Sequence, residues 1–93
     1  MIYELEFSEK AWKEWKKLGV NLKDQFKRKL QERLVNPHVP ADRLSGLGNA
    51  YKIKLRSAGY RMVYRVLDDV LVVTVIAVGK RERSDVYKDA ADR

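Results

Sequence analysis

The spacing of hydrophobic and polar positions along this chain changes period between segments, and each period predicts an element. From Ile2 to Phe7 the pattern alternates, Tyr3, Leu5 and Phe7 against Glu4 and Glu6, which predicts a half-buried strand. Ser8 follows as an N-cap, and Ala11, Trp12, Trp15 and Leu18 then recur at the spacing of one helical face. Gly19, able to take the left-handed conformation common at helix C-termini, is the expected stop. Asn21 is expected to cap a second helix, with Leu22, Phe26, Leu30 and Leu34 at steps of four. Pro37 ends that helix, because Asn36 before a proline is pushed out of helical space. Two helices so closely linked predict an antiparallel helical hairpin.

Residues 36–50 (NPHVPADRLSGLGNA) hold both prolines and read as a loop, after which the period becomes two. Tyr51, Ile53 and Leu55 alternate with Lys52, Lys54 and Arg56; Tyr60, Met62, Tyr64 and Val66 alternate with Arg61, Val63 and Arg65. Ser57-Ala58-Gly59 and Asp68-Asp69 mark the turns. Val70 to Val78 is continuously apolar and rich in β-branched residues, as expected of a central strand covered on both faces. Gly79 ends it, and a short helix from about Ser84, carrying Val86, Tyr87, Ala90 and Ala91, closes the chain. The order β-α-α-β-β-β-α predicts one α+β domain over residues 1–93, a small antiparallel sheet packed on an N-terminal helical hairpin. The sheet's other face is then left to water or to a ligand.

Composition sharpens this picture in one respect. Twenty Lys+Arg stand against thirteen Asp+Glu, a formal charge of +7, which points to a polyanionic partner. The chain has no cysteine and one histidine, His38, so it offers no disulfide framework, thiolate nucleophile or paired imidazoles. Neither a metal nor a cofactor is expected. The run Val70–Val78, broken by Thr74, is under half the roughly 20 residues of a membrane span. With Glu4 and Glu6 where a signal peptide would be basic, a cytoplasmic protein with no membrane partner is expected.

Strand register decides whether the cations form a site. A tight turn at Ala58-Gly59 would set Arg56 opposite Arg61, Lys54 opposite Val63 and Lys52 opposite Arg65, all on one face. Between Tyr51 and Val66 there are five cations and no anion. Like charges facing each other across a strand pair are destabilising, so an external anion is expected to neutralise them, against the simpler reading of a solvated face. Lys80, Arg81 and Arg83 form a second cluster that the end of the central strand can bring alongside. Tyr87 lies beyond it, either to stack on an unpaired base or to pack on the sheet edge. Lys23, Lys27, Arg28, Lys29 and Arg33 make the second helix basic, which usually means a solvated face. His38, in the loop, reads as incidental, and Ser84 as a cap. Trp12 and Trp15 read as core, with one of them a possible partner surface.

YKIKLRSAGYRMVYRV, the apolar strand and VGKRERSDVY resemble the RelE toxins of bacterial toxin–antitoxin systems, within the RelE/ParE superfamily, and EFSEKAWKEWKKLG fits the start of that pattern. The resemblance implies a ribosome-dependent endoribonuclease that cuts messenger RNA in the A site of the 70S ribosome. It implies functional residues at Lys52, Lys54, Arg61, Arg81 and Tyr87; the other cations Arg56, Arg65, Lys80, Arg83, Lys23 and Lys27 are expected to contact RNA or the ribosome. It also implies a cognate antitoxin, operator DNA bound only through the toxin–antitoxin complex, and a C-terminal helix that the antitoxin displaces. The tail KDAADR departs from the pattern in being short and lacking large apolar residues.

The chemistry has its own requirements. Without a metal, the ribose 2′-hydroxyl attacks the adjacent phosphate, and this needs a base, an acid for the leaving oxygen and cations for the growing charge. Lysine can serve as base if neighbouring cations depress its pKa. Lys54 assisted by Lys52, Arg61 on the phosphate, Arg81 at the leaving oxygen and Tyr87 on the nucleotide are the expected roles. The alternatives are a gyrase-inhibiting toxin of the ParE kind and a basic RNA-binding module.

Overall fold

The computed structural model describes residues 2–80 and 85–92. Its elements are β1 (Glu4–Phe7), α1 (Glu9–Lys16), α2 (Val20–Val35), a single 3-10 turn (Pro40–Asp42), β2 (Ala50–Leu55), β3 (Tyr60–Leu67), β4 (Val72–Lys80) and α3 (Asp85–Asp92). Ser8 caps α1, its Oγ accepting from the Ala11 N–H at 3.2 Å. Gly19 departs from expectation. At φ −68° and ψ 161° it is the N-cap of α2, which begins at Val20 ahead of Asn21. α1 instead ends on Lys17, which keeps a helical conformation while its N–H donates to the Glu14 carbonyl at 3.3 Å and the Leu18 N–H to the Trp15 carbonyl at 3.0 Å. α2 stops as Pro37 dictates, with Asn36 at φ −140°.

The four strands lie in the order β1-β4-β3-β2, which puts the apolar β4 inside the sheet. β2, β3 and β4 pair antiparallel, but β1 runs parallel to β4, so the sheet is mixed rather than antiparallel. The reason lies in the helical hairpin. α1 spans 8 residues and α2 16, so the pair carries the chain back to the end of the sheet where it began. There the Tyr3 N–H donates to the Leu34 carbonyl at 2.8 Å. β2 therefore starts in the same direction as β1, and after two reversals so does β4.

The hairpin register also differs from the expected one. Lys54 faces Arg61, Lys52 faces Val63 and Ala50 faces Arg65. The connection is four residues long instead of two: Gly59, at φ +70°, returns its N–H to the Leu55 carbonyl at 2.9 Å and leaves Arg56 in the turn. The slip is an even number of residues, so every side chain keeps its predicted face.

Two apolar clusters sandwich the sheet. The larger joins Ala11, Trp15, Phe26 and Leu30 of the helical hairpin to Tyr51, Ile53, Leu55, Met62, Tyr64, Val66, Val73, Val75 and Val78. The smaller, on the opposite face, joins Ala50, Val63, Ile76 and Ala77 to Ala90 of α3, with Leu44, Leu47 and Tyr87 beside it. The helices are thus not confined to one side, because β3 and β4 present apolar residues on both. A register shift between Val63 and Tyr64 makes this possible: Val63 faces Ala77 and Tyr64 faces Val75, so Ile76 is the extra residue of a bulge. Ile76 and Ala77 can then both serve the second cluster while Val73, Val75 and Val78 serve the first. Despite its small residues, α3 docks through Ala90 and Tyr87.

Candidate functional site

The cationic face lies on the α3 side of the sheet. Lys52 and Lys54 leave β2 opposite to Tyr51, Ile53 and Leu55, which go into the main core. Arg61, directly across from Lys54, leaves β3 on that same face, and its partner on β4 is Gly79, which raises no side chain over it. α3 brings Tyr87 in from above. Arg61 Nη1 donates to the Tyr87 hydroxyl at 2.6 Å, and the guanidinium carbon lies 5.3 Å from the ring centroid. Of the two expectations for Tyr87, packing on the sheet is what is seen, its ring lying beside the small cluster, and its hydroxyl is in addition held at Arg61.

The electrostatic consequence falls on Lys54. The Lys52 ammonium, through its charge and then its hydrogen bonding, draws the Lys54 pKa below the usual lysine value, with smaller contributions from desolvation, Arg61 and Arg56. Lys54 is thus held closer to deprotonation than an ordinary lysine. A phosphate placed here would meet several positive groups within one patch.

The remaining predicted residues are distributed around this centre. Arg56 sits exposed in the turn, close enough to act on Lys54. Arg65 shares the face but stands four residues along β3 from Arg61, about 13 Å at the rise of a strand. Lys80 pairs with Tyr60, one residue out of phase with Arg61 and Gly79, so it leaves the sheet on the helical-hairpin side instead of joining the site. Lys23 and Lys27 are on α2, across the sheet from Lys52 and Lys54. Lys27 borders a groove of about 400 Å³ lined by Leu5, Phe7, Trp12 and Leu34 among others. Trp15 is core, whereas Trp12 is 46% exposed above that groove, its ring edge-on to Phe7. Arg81 and Arg83 lie outside the described residues, as does Ser84.

Sequence reasoning missed a polar network behind the sheet. His38 is not incidental: Nε2 lies 2.8 Å from Asp68 Oδ1 and Nδ1 2.8 Å from the Tyr51 hydroxyl, while the Tyr3 hydroxyl donates to Asp68 at 2.7 Å. These hydrogen bonds hold the Asp68 carboxyl below its usual pKa. Tyr51 stacks on Tyr64, whose hydroxyl donates to the Pro37 carbonyl at 2.7 Å. Arg33 belongs to this network rather than to a solvated face. One signal was available: Arg33 follows Phe26 by seven positions and Leu30 by three, which is the buried stripe of α2.

A family model described as the ParE toxin of the type II toxin–antitoxin system parDE matches residues 5–85. The chain is 55% identical over 93 residues to the mRNA interferase toxin RelE of Escherichia coli (strain K12), covering 100% of this chain and 98% of that protein. A solved structure of a mutant of E. coli RelE in the free state superposes with a TM-score of 0.92 at 53% identity, covering 100% of this chain and 98% of that one. The crystal structure of the intact E. coli RelBE toxin–antitoxin complex matches with a TM-score of 0.84 at 54% identity, over 87% of this chain and 99% of that one.

Proposed function

Because the chain belongs to the RelE/ParE family of type II toxin–antitoxin toxins, and to its RelE branch, we propose that it is an mRNA interferase, an endoribonuclease that cuts messenger RNA in the ribosomal A site. The observation that carries this reading is the gathering of Lys52, Lys54, Arg61 and Tyr87 on one face, with Lys54 depressed in pKa by its neighbours. A purely RNA-binding surface needs cations but no base.

In the proposed reaction Lys54, assisted by Lys52, takes the proton of the ribose 2′-hydroxyl as its oxygen attacks the adjacent phosphorus. Arg61 stabilises the charge that builds on the non-bridging oxygens. The bond from phosphorus to the 5′-oxygen breaks, leaving a 2′,3′-cyclic phosphate and a 5′-hydroxyl. Arg81 is the residue proposed for the leaving oxygen, electrostatically or as its proton donor. Tyr87, held by Arg61, orients the nucleotide. The site lies on a sheet face, and the ribosome supplies the positioning that such a surface gives poorly to free RNA, an effect worth several kcal/mol of a barrier. The proposed partners are the ribosome carrying mRNA and a cognate antitoxin, with operator DNA reached only through the antitoxin complex.

Primer extension on a message translated in the presence of the protein tests this. The parent should give cuts in phase with codons and leave naked RNA largely intact. Lys54→Ala should slow cleavage by about 10²–10⁴-fold, the usual worth of a general base. A base must be unprotonated, so the parental rate should climb with pH through the Lys54 pKa, and Lys54→Ala should lose that climb. Cleavage by Lys54→Ala at the parental rate would refute the assignment. Trapped gyrase–DNA complexes without codon cuts would favour the ParE-like alternative.

A further inference from the structure

Arg33 is on α2, on the side of the sheet away from the Lys52 and Lys54 side chains, yet its guanidinium reaches three acceptors from three other segments. Nη2 lies 2.6 Å from Asp42 Oδ2 in the 3-10 turn. Nη1 donates to the Tyr64 hydroxyl on β3 at 2.9 Å and to the main-chain carbonyl of Lys52 on β2 at 3.2 Å. The side chain is only 12% exposed. Its carbon lies 5.7 Å from the Tyr64 ring centroid.

β2 is an edge strand, so every second main-chain carbonyl points away from β3. Two of these are taken in succession. The Ala50 carbonyl accepts from the Leu44 N–H at 2.9 Å, and the Lys52 carbonyl accepts from Arg33. The open edge is thus held by main chain at one rung and by a largely covered cation at the next. The second rung is the residue whose side chain, on the opposite face, sets the charge environment of Lys54.

We propose that Arg33, aimed by Asp42, is a positioning residue for the cationic site, fixing the main chain of Lys52 from behind the sheet and so the spacing between the Lys52 and Lys54 side chains. The inference rests on the reading of Lys52 and Lys54 given above. A catalytic constellation tolerates displacements of only about 0.5 Å, and an error near 1 Å can cost 10²-fold. Without Arg33 the outward edge of β2 at Lys52 loses its one hydrogen bond among the described residues, and that rung is held from the β3 side. The planar guanidinium fork meets three acceptors at once, which a lysine ammonium on its flexible stem does not reproduce.

The test uses the full chain with Arg33→Met/Asp42→Asn, which removes the guanidinium together with the carboxylate it would strand, and with Arg33→Lys, which keeps the charge. Three quantities are read: the melting temperature, the NMR titration midpoint of the Lys54 ammonium, and kcat and KM for A-site cleavage. In the double variant the Lys54 midpoint should rise toward that of an ordinary lysine, because Lys52 is no longer held beside it. Its kcat should fall about 10- to 100-fold with KM little changed. Arg33→Lys should recover melting temperature more fully than kcat. A folded double variant with parental midpoint and parental kcat overturns the proposal and leaves Arg33 a structural residue. Should that variant not fold, Asp42→Asn alone, which frees the guanidinium to turn, should raise the midpoint partway, and an unmoved midpoint overturns the proposal. If Lys54→Ala cuts normally while loss of Arg33 still moves the Lys54 midpoint, the catalytic reading fails and the positioning role stands.

Discussion

At the scale of single residues, the same side-chain type has opposite meanings according to what lies behind it. Lys54 and Arg61 face each other across a strand pair, a placement that costs stability unless an anion arrives. Arg33 is surrounded instead by acceptors, and there the charge is matched within the fold itself. Tyr64 sits at the centre of that arrangement, fully buried, accepting from Arg33 and donating to the Pro37 carbonyl. Tyr64→Phe removes both bonds and leaves a buried carbonyl and part of a guanidinium unmatched, so it should cost about 1–3 kcal/mol in denaturant unfolding. A variant as stable as the parent would mean that water replaces the hydroxyl without loss. Asp68 gives a prediction in pH. Its carboxyl pKa is depressed by bonds from His38 and Tyr3, so its contribution is present above the ordinary value of 3.8 and is lost as pH falls through the depressed value. Asp68→Asn should therefore melt below the parent at pH 7, with the gap narrowing toward pH 3. A constant gap across that range would show that the carboxylate charge is not what stabilises.

At the scale of elements, periodicity was legible and its punctuation was not. The apolar stripe through Ala11 and Trp15, the steps of four through Phe26 and Leu30, and the alternation of β2 and β3 all follow from where side chains point. Gly19 was misread because an N-cap and a C-cap glycine look alike in sequence, and here Lys17 ends α1 while Gly19 opens α2. The hairpin register was misread because a turn's length depends on which residue goes left-handed, and Gly59 does so as the fourth loop residue. Nor does sequence reveal the bulge at Ile76, since a continuous apolar run carries no phase. The cationic site survived these errors because an even register slip preserves faces. Gly59→Ala tests the turn: a Cβ there meets nothing within 4 Å, so the penalty is that of the left-handed backbone alone. About 1–2 kcal/mol of destabilisation is expected from equilibrium unfolding, with cleavage per folded molecule reduced less than by Lys54→Ala. A loss near zero would place the strain of the turn elsewhere.

At the scale of the whole molecule, the sheet separates a large core from a small one, and the candidate site belongs to the small one. The helical hairpin and the inner faces of all four strands make the main cluster, while α3 rests on Val63, Ile76 and Ala77 through Ala90. An eight-residue helix does not persist alone in water, so α3 exists by virtue of that docking. Tyr87 reaches Arg61 only while α3 is docked. Stability and chemistry should therefore come apart under one substitution. Ala90→Lys puts an ammonium into a fully buried position and drives α3 off, exposing part of the small cluster at a cost of about 1–3 kcal/mol. The main core is untouched, so the variant should still unfold cooperatively, at a lower midpoint and with slightly less helix by circular dichroism. Cleavage on the ribosome should fall as far as it does for Tyr87→Ala, and adding Tyr87→Ala to Ala90→Lys should cost little more, since both act by removing one ring from one guanidinium. If the two losses instead add in full, the ring contributes without the docked helix, and α3 is not what presents it.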